Sequence, residues 1–155
     1  RMDREARLIA VARTDAAVAH GSFFAPRAYE LNSLAQLQRE VFGPVLHVIR
    51  WKADQLDAVI DQINATGYGL TLGVHSRIDE TIERIAARVN VGNVYVNRNQ
   101  IGAVVGVQPF GGQGLSGTGP KAGGPHYLLR FATEKVVTVN TTAAGGNASL
   151  LTLGD

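Results

Sequence analysis

Between Val45 and Asn97 the sequence switches twice from a strand-like to a helix-like hydrophobic pattern and back. Three short runs rich in β-branched residues, at 45–51, 70–75 and 91–97, predict strands. The two stretches between them carry apolar residues at helical spacing, which predicts helices with one buried face. This order predicts a βαβαβ unit with parallel strands, because parallel neighbours are joined by crossover helices.

The two helices carry start signals and one-sided apolar faces. Asp54 is predicted to cap the first helix and Ser76 the second, since both residue types favour that position. Gly67 and Gly69 are predicted to end the first helix. The apolar faces comprise Leu56, Val59, Ile60 and Ile63 in the first helix, and Ile78, Ile82, Ile85, Ala86 and Val89 in the second.

Segments on either side of this unit have weaker patterns. The runs at 8–12 and 23–26 are predicted to be strands, with a turn at Gly21–Ser22 between them. The run Lys135–Asn140 also reads as a strand, but it has no evident partner in the core. The tail from Thr141 has no hydrophobic period and is expected to lie over a surface.

Composition excludes several classes of protein and of site. The 155 residues are 45% hydrophobic and 18% charged, which fits one soluble α/β domain, and no run reaches the roughly 20 apolar residues of a membrane span. The net charge of +2 is scattered, so no basic face for nucleic acid is expected. There is no cysteine, which rules out a thiol nucleophile in these residues. The mixed charges of 1–7 suggest that the chain begins inside a larger fold.

The glycine-rich run Gly112–Gly117 matches the dinucleotide-binding pattern G-x-G-x-x-G letter by letter. That pattern binds phosphate only where a strand enters the loop and a helix leaves it. Pro109 just before the glycines and Pro120 soon after them do not suit that setting, so a phosphate loop is not predicted. The loop at 100–108 is a better candidate, because it follows the third strand and ligands bind beyond the carboxyl ends of parallel strands.

Glu40 and Phe42 form a second candidate. The carboxylate of Glu40 could accept hydrogen bonds from the two hydroxyls of a ribose, with the ring of Phe42 as an apolar wall. From these five residues alone, a solvated charge ahead of a turn is the favoured interpretation. The histidines share no metal-ligand spacing, and His47 and His75 fall on predicted strands, where a satisfied imidazole is expected.

Read together, these motifs resemble one family across nearly the whole chain. The order Glu40-x-Phe42-Gly43-Pro44, then the βαβαβ unit, then Pro109-Phe110-Gly111-Gly112 with Ser116-Gly117, is similar to the aldehyde dehydrogenase superfamily. The segments 97–112 and 119–128 resemble its glutamate-semialdehyde (pyrroline-5-carboxylate) dehydrogenase branch. The nearest resemblance is to the C-terminal end of bifunctional proline-catabolism enzymes, which 145–151 also resembles.

The resemblance implies roles for five residues. Glu40 would bind the nicotinamide-ribose hydroxyls of NAD, and Phe42 would lie beside the nicotinamide. Gly102 and Ala103 would offer backbone N–H groups to the α-carboxylate of the substrate, glutamate semialdehyde. Phe110 would pack on the aliphatic part of that substrate.

The resemblance also implies an architecture. Residues 1–119 would be the C-terminal part of the catalytic domain, a three-layer α/β segment with a parallel sheet. Residues 120–155 would comprise a return helix, an oligomerisation strand at 135–140 and a C-terminal tail. The partners would be the rest of a longer cytoplasmic chain and further copies of it, with FAD bound only in a separate proline dehydrogenase part.

In the family a cysteine thiolate attacks the aldehyde, hydride passes to NAD, and water hydrolyses the thioester. The cysteine, the base and the oxyanion-hole asparagine would all lie upstream of these residues, so this segment alone is predicted to be inactive. Two alternatives stay open. One is a dehydrogenase for a different aldehyde, and the other is a cysteine-free module that serves assembly rather than catalysis.

Overall fold

The computed structural model describes residues 1–140 and 142–143. Within them the helices are α1 (Met2–Glu5), α2 (Leu56–Ala65) and α3 (Asp79–Arg88). The strands are β1 (Arg7–Val11), β2 (Arg27–Leu31), β3 (Val45–Ile49), β4 (Tyr68–Gly69), β5 (Thr71–Val74), β6 (Asn93–Val96) and β7 (Gln113–Gly114). Turns of 3-10 helix lie at Ala16–His20, Leu34–Gln36, Ala53–Gln55 and Leu128–Phe131.

Strand β2 is the centre of a three-stranded mixed sheet. It pairs antiparallel with β1 and parallel with β3, and its Tyr29 and Leu31 are buried. The strand predicted at 23–26 is wrong, because pairing begins only at Arg27 and Phe23 and Phe24 are exposed. Pro26 explains the shift, since a proline has no N–H to donate to a ladder and contributes only its carbonyl, here to the N–H of Ala12 at 2.8 Å.

The α/β architecture predicted from the sequence is confirmed, with its strands divided between sheets. Strand β5 pairs in parallel with β6, and α3 connects them, so the second half of the predicted βαβαβ unit is intact. Strand β3 pairs in parallel with β2 instead of with β5. A short antiparallel pair, β4 with β7, brings the glycine-rich run back against the start of this second region.

The two helices pack side by side and begin later than predicted. Asp54 lies inside the 3-10 turn before α2 and makes no capping hydrogen bond there, so the predicted cap is wrong. Ser76 accepts a hydrogen bond from the N–H of Ile78 at 3.1 Å, but Ile78 is the residue that precedes α3, so the predicted cap at Ser76 is wrong as well. Ile60 of α2 is the most deeply buried side chain of the described core, at 1% exposure.

After residue 120 the chain is less regular than predicted. The return helix is present only as the 3-10 turn Leu128–Phe131, since Gly123, at a φ of +72°, and the following Gly124 and Pro125 do not favour a continuous helix. The segment 132–140 forms no ladder with any described residue, and its three valines are 70–79% exposed. Its predicted role in oligomerisation stays a prediction. Most of the predicted tail, including 145–151, lies outside the described residues.

No helix within 1–140 and 142–143 combines the length and the apolar character that crossing a bilayer requires.

Candidate functional site

Glu40 and Phe42 line one open cleft of about 960 Å³. They lie on the irregular stretch between the 3-10 turn at Leu34–Gln36 and the start of β3. Gly43 follows at a φ of +132°, a conformation that suits glycine, and its carbonyl accepts the N–H of Val45 at 2.8 Å. This turn leaves the ring of Phe42 89% exposed at the wall of the cleft.

The carboxylate of Glu40 is available for a ligand. Its side chain is exposed and has no hydrogen bond or ion pair to the described part of the chain. An ionised carboxylate is an acceptor with two oxygens, so it can receive both hydroxyls of a vicinal diol such as a ribose. The exposed ring of Phe42 supplies an apolar surface in the same cleft.

His47 of β3 also lines this cleft. Its side chain is half-buried, and its Nε2 has no hydrogen-bond partner among the described residues. The sequence predicted an imidazole with its hydrogen bonds made at this position. Within the described residues that prediction is wrong for Nε2. His75 lies just past the end of β5 and is exposed.

The loop at 100–108, called the anchor loop from here on, follows β6 through a left-handed residue. Asn97 has a φ of +53°, a region in which asparagine is among the favoured non-glycine residues. Its side chain holds Ser76 at two points, accepting the N–H at 3.0 Å and donating to the carbonyl at 2.8 Å. The loop therefore begins from a fixed turn rather than from a free chain end.

Gly102 and Ala103 present their backbone N–H groups without acceptors in the described structure. Gly102 has a φ of +79°, and no heavy atom lies within 4 Å of the place where a Cβ would stand. Later in the loop, Val107 and Gln108 donate to the carbonyl of Val104, at 3.0 and 2.8 Å, and the N–H groups of Val105 and Gly106 also have no acceptor in the described structure. Successive free N–H groups beside a glycine at positive φ can bind an anion such as a carboxylate.

Phe110 is half-buried and its backbone is fixed on both sides. Its N–H donates to the carbonyl of Ala122 at 3.0 Å, and its carbonyl accepts the N–H of Ala122 at 2.9 Å. Asn93 donates to the carbonyl of Pro109 at 2.9 Å and accepts the N–H of Gly111 at 3.3 Å. Lys121 adds a bond of 2.6 Å from its Nζ to the carbonyl of Gly111.

Sequence reasoning did not identify Asn93 or Lys121. The available signal for Asn93 was a polar amide within an otherwise apolar strand segment, which requires a hydrogen-bond partner once it is buried. Lys121 had no such signal, because its partners are a backbone carbonyl and an amide that only folding brings near it.

The glycine-rich run serves packing. A Cβ built on Gly112 would lie 2.4 Å from the carbonyl oxygen of Ser116, and the Ser116 hydroxyl accepts the N–H of Gly69 at 3.0 Å. The described chain after Gly117 has no helix before the 3-10 turn at Leu128–Phe131. The interpretation that this run is not a phosphate loop agrees with that geometry.

The five residues singled out from the sequence fall into two groups. Glu40 and Phe42 share the cleft, together with Leu115 and Ser116 of the glycine-rich run. Gly102, Ala103 and Phe110 are not part of its lining. They lie on two loops that both approach the turn Lys121–Gly124: a Cβ built on Gly123 would stand 3.7 Å from the backbone nitrogen of Gly106, and Phe110 pairs with Ala122.

Comparisons with known proteins agree with one another. The family model described as the aldehyde dehydrogenase family matches residues 2–137. The bifunctional protein PutA of Escherichia coli K12 is 65% identical over 115 residues, which are 74% of this chain and 9% of PutA. The PutA of Rhizobium meliloti is 66% identical over 117 residues, covering 76% of this chain and 10% of the relative. The 1-pyrroline-5-carboxylate dehydrogenase of Oceanobacillus iheyensis is 49% identical over 102 residues, covering 66% of this chain and 19% of the relative.

Solved structures give the same picture. A mutant of proline utilization A from Bradyrhizobium japonicum superposes with a TM-score of 0.83 at 63% identity, over 92% of this chain and 14% of that one. A Thermus 1-pyrroline-5-carboxylate dehydrogenase with bound NAD gives a TM-score of 0.73 at 42% identity, over 83% of this chain and 25% of that one. The chain thus spans only a minor part of the length of these relatives.

Proposed function

The chain belongs to the aldehyde dehydrogenase family, and from that premise we propose that it is a segment of an NAD-dependent L-glutamate γ-semialdehyde dehydrogenase. The longer enzyme would oxidise the semialdehyde derived from pyrroline-5-carboxylate to glutamate, within a bifunctional proline-degrading chain of the PutA type. Identities of 65% and 66% to two PutA proteins support this reading over that of a dehydrogenase for a simple aldehyde.

The observation that carries the proposal is the pair of free N–H groups at Gly102 and Ala103. An aldehyde dehydrogenase for uncharged aldehydes has no use for an anion site at this loop, whereas glutamate semialdehyde carries an α-carboxylate. Gly102 leaves open space where a side chain would stand, so a carboxylate can approach the backbone closely. Phe110 would cover the methylene groups between the carboxylate and the aldehyde.

The cleft residues fit the nicotinamide half of NAD. The unpaired Glu40 carboxylate would accept the two ribose hydroxyls, and Phe42 would provide the apolar wall beside the ring. NAD, when bound, supplies the acceptor for the hydride that leaves the substrate. Glu40 would orient that acceptor, and orientation of this kind lowers a barrier by fixing the distance and angle between reacting groups.

In this scheme the segment binds and orients, and other parts of the longer enzyme carry the chemistry. The sequence has no cysteine, so the thiolate would come from elsewhere in the longer enzyme. By resemblance to the family, the base and the oxyanion donor would lie upstream as well. FAD would belong to a separate proline dehydrogenase part. The enzyme would be cytoplasmic, and the strand at 135–140 would pair with another subunit.

A matched pair of glycine substitutions in the full-length enzyme tests the anchor. Gly102 and Gly106 lie in the same loop at φ of +79° and +80°, both with open space for a methyl group. Gly102→Ala and Gly106→Ala therefore introduce the same backbone strain, about 1 kcal/mol. We expect KM for glutamate semialdehyde to rise at least about tenfold more in Gly102→Ala than in Gly106→Ala, with KM for propanal unchanged in both.

Equal effects of the two substitutions on both aldehydes would remove Gly102 from the carboxylate site. A wild-type enzyme that prefers propanal to the semialdehyde would instead indicate a dehydrogenase for another aldehyde.

A further inference from the structure

The anchor loop and the Phe110 backbone meet at one turn, Lys121–Gly124, which is closed by a 3.0 Å hydrogen bond between its end residues. A Cβ built on Gly123 would lie 3.7 Å from the nitrogen of Gly106, so the end of the anchor loop rests on this turn. On the other side, a Cβ built on Gly124 would lie 3.3 Å from the Cβ of Pro109. The turn therefore contacts both halves of the proposed substrate pocket.

The ammonium of Lys121 is used for positioning rather than for charge pairing. Its side chain is half-buried, and its Nζ donates to the carbonyl of Gly111 at 2.6 Å and to Oδ1 of Asn93 at 3.4 Å. It forms no ion pair with a carboxylate of residues 1–140 or 142–143. A hydrogen bond from a charged donor is stronger than a neutral one, so the Gly111 peptide is held firmly.

Asn93, the first residue of β6, connects this cation to the sheet. The side chain of Asn93 donates to the carbonyl of Pro109 and accepts the N–H of Gly111, the residues on either side of Phe110. Phe110 itself pairs with Ala122 through both its N–H and its carbonyl. There is no spare room: a Cβ on Gly92 would stand 1.7 Å from the Gly111 oxygen and 2.8 Å from the Lys121 nitrogen. Close packing of this kind leaves the Phe110 backbone one position rather than several.

We propose that Asn93 and Lys121 are positioning residues that set the selectivity of the pocket for a carboxylate-bearing aldehyde. They fix the separation between the apolar contact at Phe110 and the N–H groups at Gly102 and Ala103. This inference rests on the function proposed above. A substrate that binds at both ends depends on that separation, whereas an aldehyde without a carboxylate uses only one end and does not.

The test compares Lys121→Met and Asn93→Asp with Lys52→Met in the full-length enzyme. Methionine keeps the length of the lysine stem and removes its donors, while aspartate keeps the acceptor to Lys121 and loses the donor to the Pro109 carbonyl. Lys52 has an exposed side chain away from the pocket, so its substitution is the control. The readouts are KM and kcat for glutamate semialdehyde and propanal, KM for NAD, and the melting temperature.

For Lys121→Met we expect KM for the semialdehyde to rise about tenfold, with kcat within about twofold of wild type. Asn93→Asp should change KM in the same direction by less, because the aspartate keeps the contacts to Lys121 and to the N–H of Gly111 and loses only the bond to the carbonyl of Pro109. KM for propanal and for NAD should stay at the wild-type value in both variants and in Lys52→Met.

The proposal would be overturned if activity fell equally toward the semialdehyde and propanal, in proportion to a decrease in melting temperature. That result would show that Asn93 and Lys121 have only a structural role. Unchanged kinetics would overturn it as well. If Lys121→Met does not fold, Asn93→Asp decides by the same two criteria. A wild-type enzyme that does not oxidise the semialdehyde rejects the proposed function itself, a result distinct from any difference between the variants.

Discussion

At the scale of single residues, Glu40 stands out because nothing in the described structure ties its carboxylate down. An exposed, unpaired side chain contributes little to stability, so its removal leaves the free energy of unfolding nearly unchanged. Whatever it contributes must then appear when a ligand is bound. This separation of binding from stability makes Glu40 a clean residue to test.

We expect Glu40→Ala in the full-length enzyme to raise KM for NAD and to lower turnover, for a combined loss in kcat/KM of about ten- to a hundredfold. That range corresponds to hydrogen bonds with a charged acceptor, which contribute about 1.5–3 kcal/mol. Steady-state kinetics with NAD as the varied substrate would measure it. Glu83, an exposed carboxylate on α3, provides the control substitution, Glu83→Ala.

Wild-type kinetics in Glu40→Ala would remove this residue from the cofactor site. A matching loss in Glu83→Ala would point to a general effect of the reduced negative charge.

The residues that a sequence reveals differ from those that it hides for a physical reason. Gly102 could be proposed from its type, because a glycine in a loop signals backbone exposure and unusual φ. Lys121 could not, since its bond runs to a backbone carbonyl ten positions away and every residue has such a carbonyl. Asn93 reaches partners 16 and 18 positions along the chain, which only the return of the loop onto β6 makes close.

At the scale of elements, α2 and α3 are joined by a charged cluster on their exposed sides. Asp57 accepts a hydrogen bond from Arg84 and forms an ion pair with Arg88, and Asp61 pairs with Arg88 at 2.8 Å. The hydrogen bond from Arg84 is the main cause that lowers the pKa of Asp57 below its ordinary value, with the positive charges of both arginines adding to it. The side chain of Asn64 completes the contact by donating to the carbonyl of Arg88 at 2.9 Å.

A lowered pKa in the folded state means that Asp57 stabilises the helix pair at neutral pH. The contribution is fully present above the pKa of an unfolded aspartate, about 3.9, and is lost as the pH falls through the lower folded value. We therefore expect Asp57→Asn to speed amide exchange in α2 and α3 at pH 7. Hydrogen exchange of wild type and Asp57→Asn, measured at the same pH, should show that the difference between them shrinks below a pH of about 4.

Asp54→Asn is the matched control, because Asp54 is exposed in the turn before α2 and forms no capping bond. A difference for Asp57→Asn that persists unchanged at low pH would contradict the ionic origin of the effect.

Helices were read from the sequence more reliably than strand partners. The buried Ile60 and the half-buried Leu56 follow from spacing alone, because the helical period is a local property. The pairing of β3 with β2 could not be read in this way, since hydrogen bonding between strands depends on which edges meet in three dimensions. The misplaced strand at 23–26 shows the same limit, because residue type favoured a strand where the structure has no ladder before Arg27.

At the scale of the whole molecule, far more large apolar side chains are exposed than are buried in the described core. Six hydrophobic side chains are buried, whereas large apolar residues on the cleft wall, the anchor loop and the C-terminal segment are exposed. Exposed apolar side chains in this number agree with the proposal that the chain is a segment of a longer enzyme, in which other protein would cover some of them. The examples with the greatest exposure are Val105, Phe42, Val136, Leu128 and Ile101, at 77–90%.

We expect the isolated 155-residue chain to show no aldehyde-dependent reduction of NAD, because it lacks a thiol to form the covalent intermediate. The full-length enzyme at equal molar concentration provides the comparison, with glutamate semialdehyde and propanal as substrates. Turnover by the isolated chain above the rate in buffer would contradict the proposal that these residues only bind and orient.

The two-point contact between Asn97 and Ser76 has a mechanical consequence. Ser76 precedes α3 and Asn97 precedes the anchor loop, so one rigid joint couples a helix to a loop that is otherwise distant in the chain. A displacement of Ser76 would break or strain both bonds unless Asn97, and with it the start of the loop, moved as well. We therefore expect the position of the anchor loop to depend on how α3 is seated, through the contact between Asn97 and Ser76.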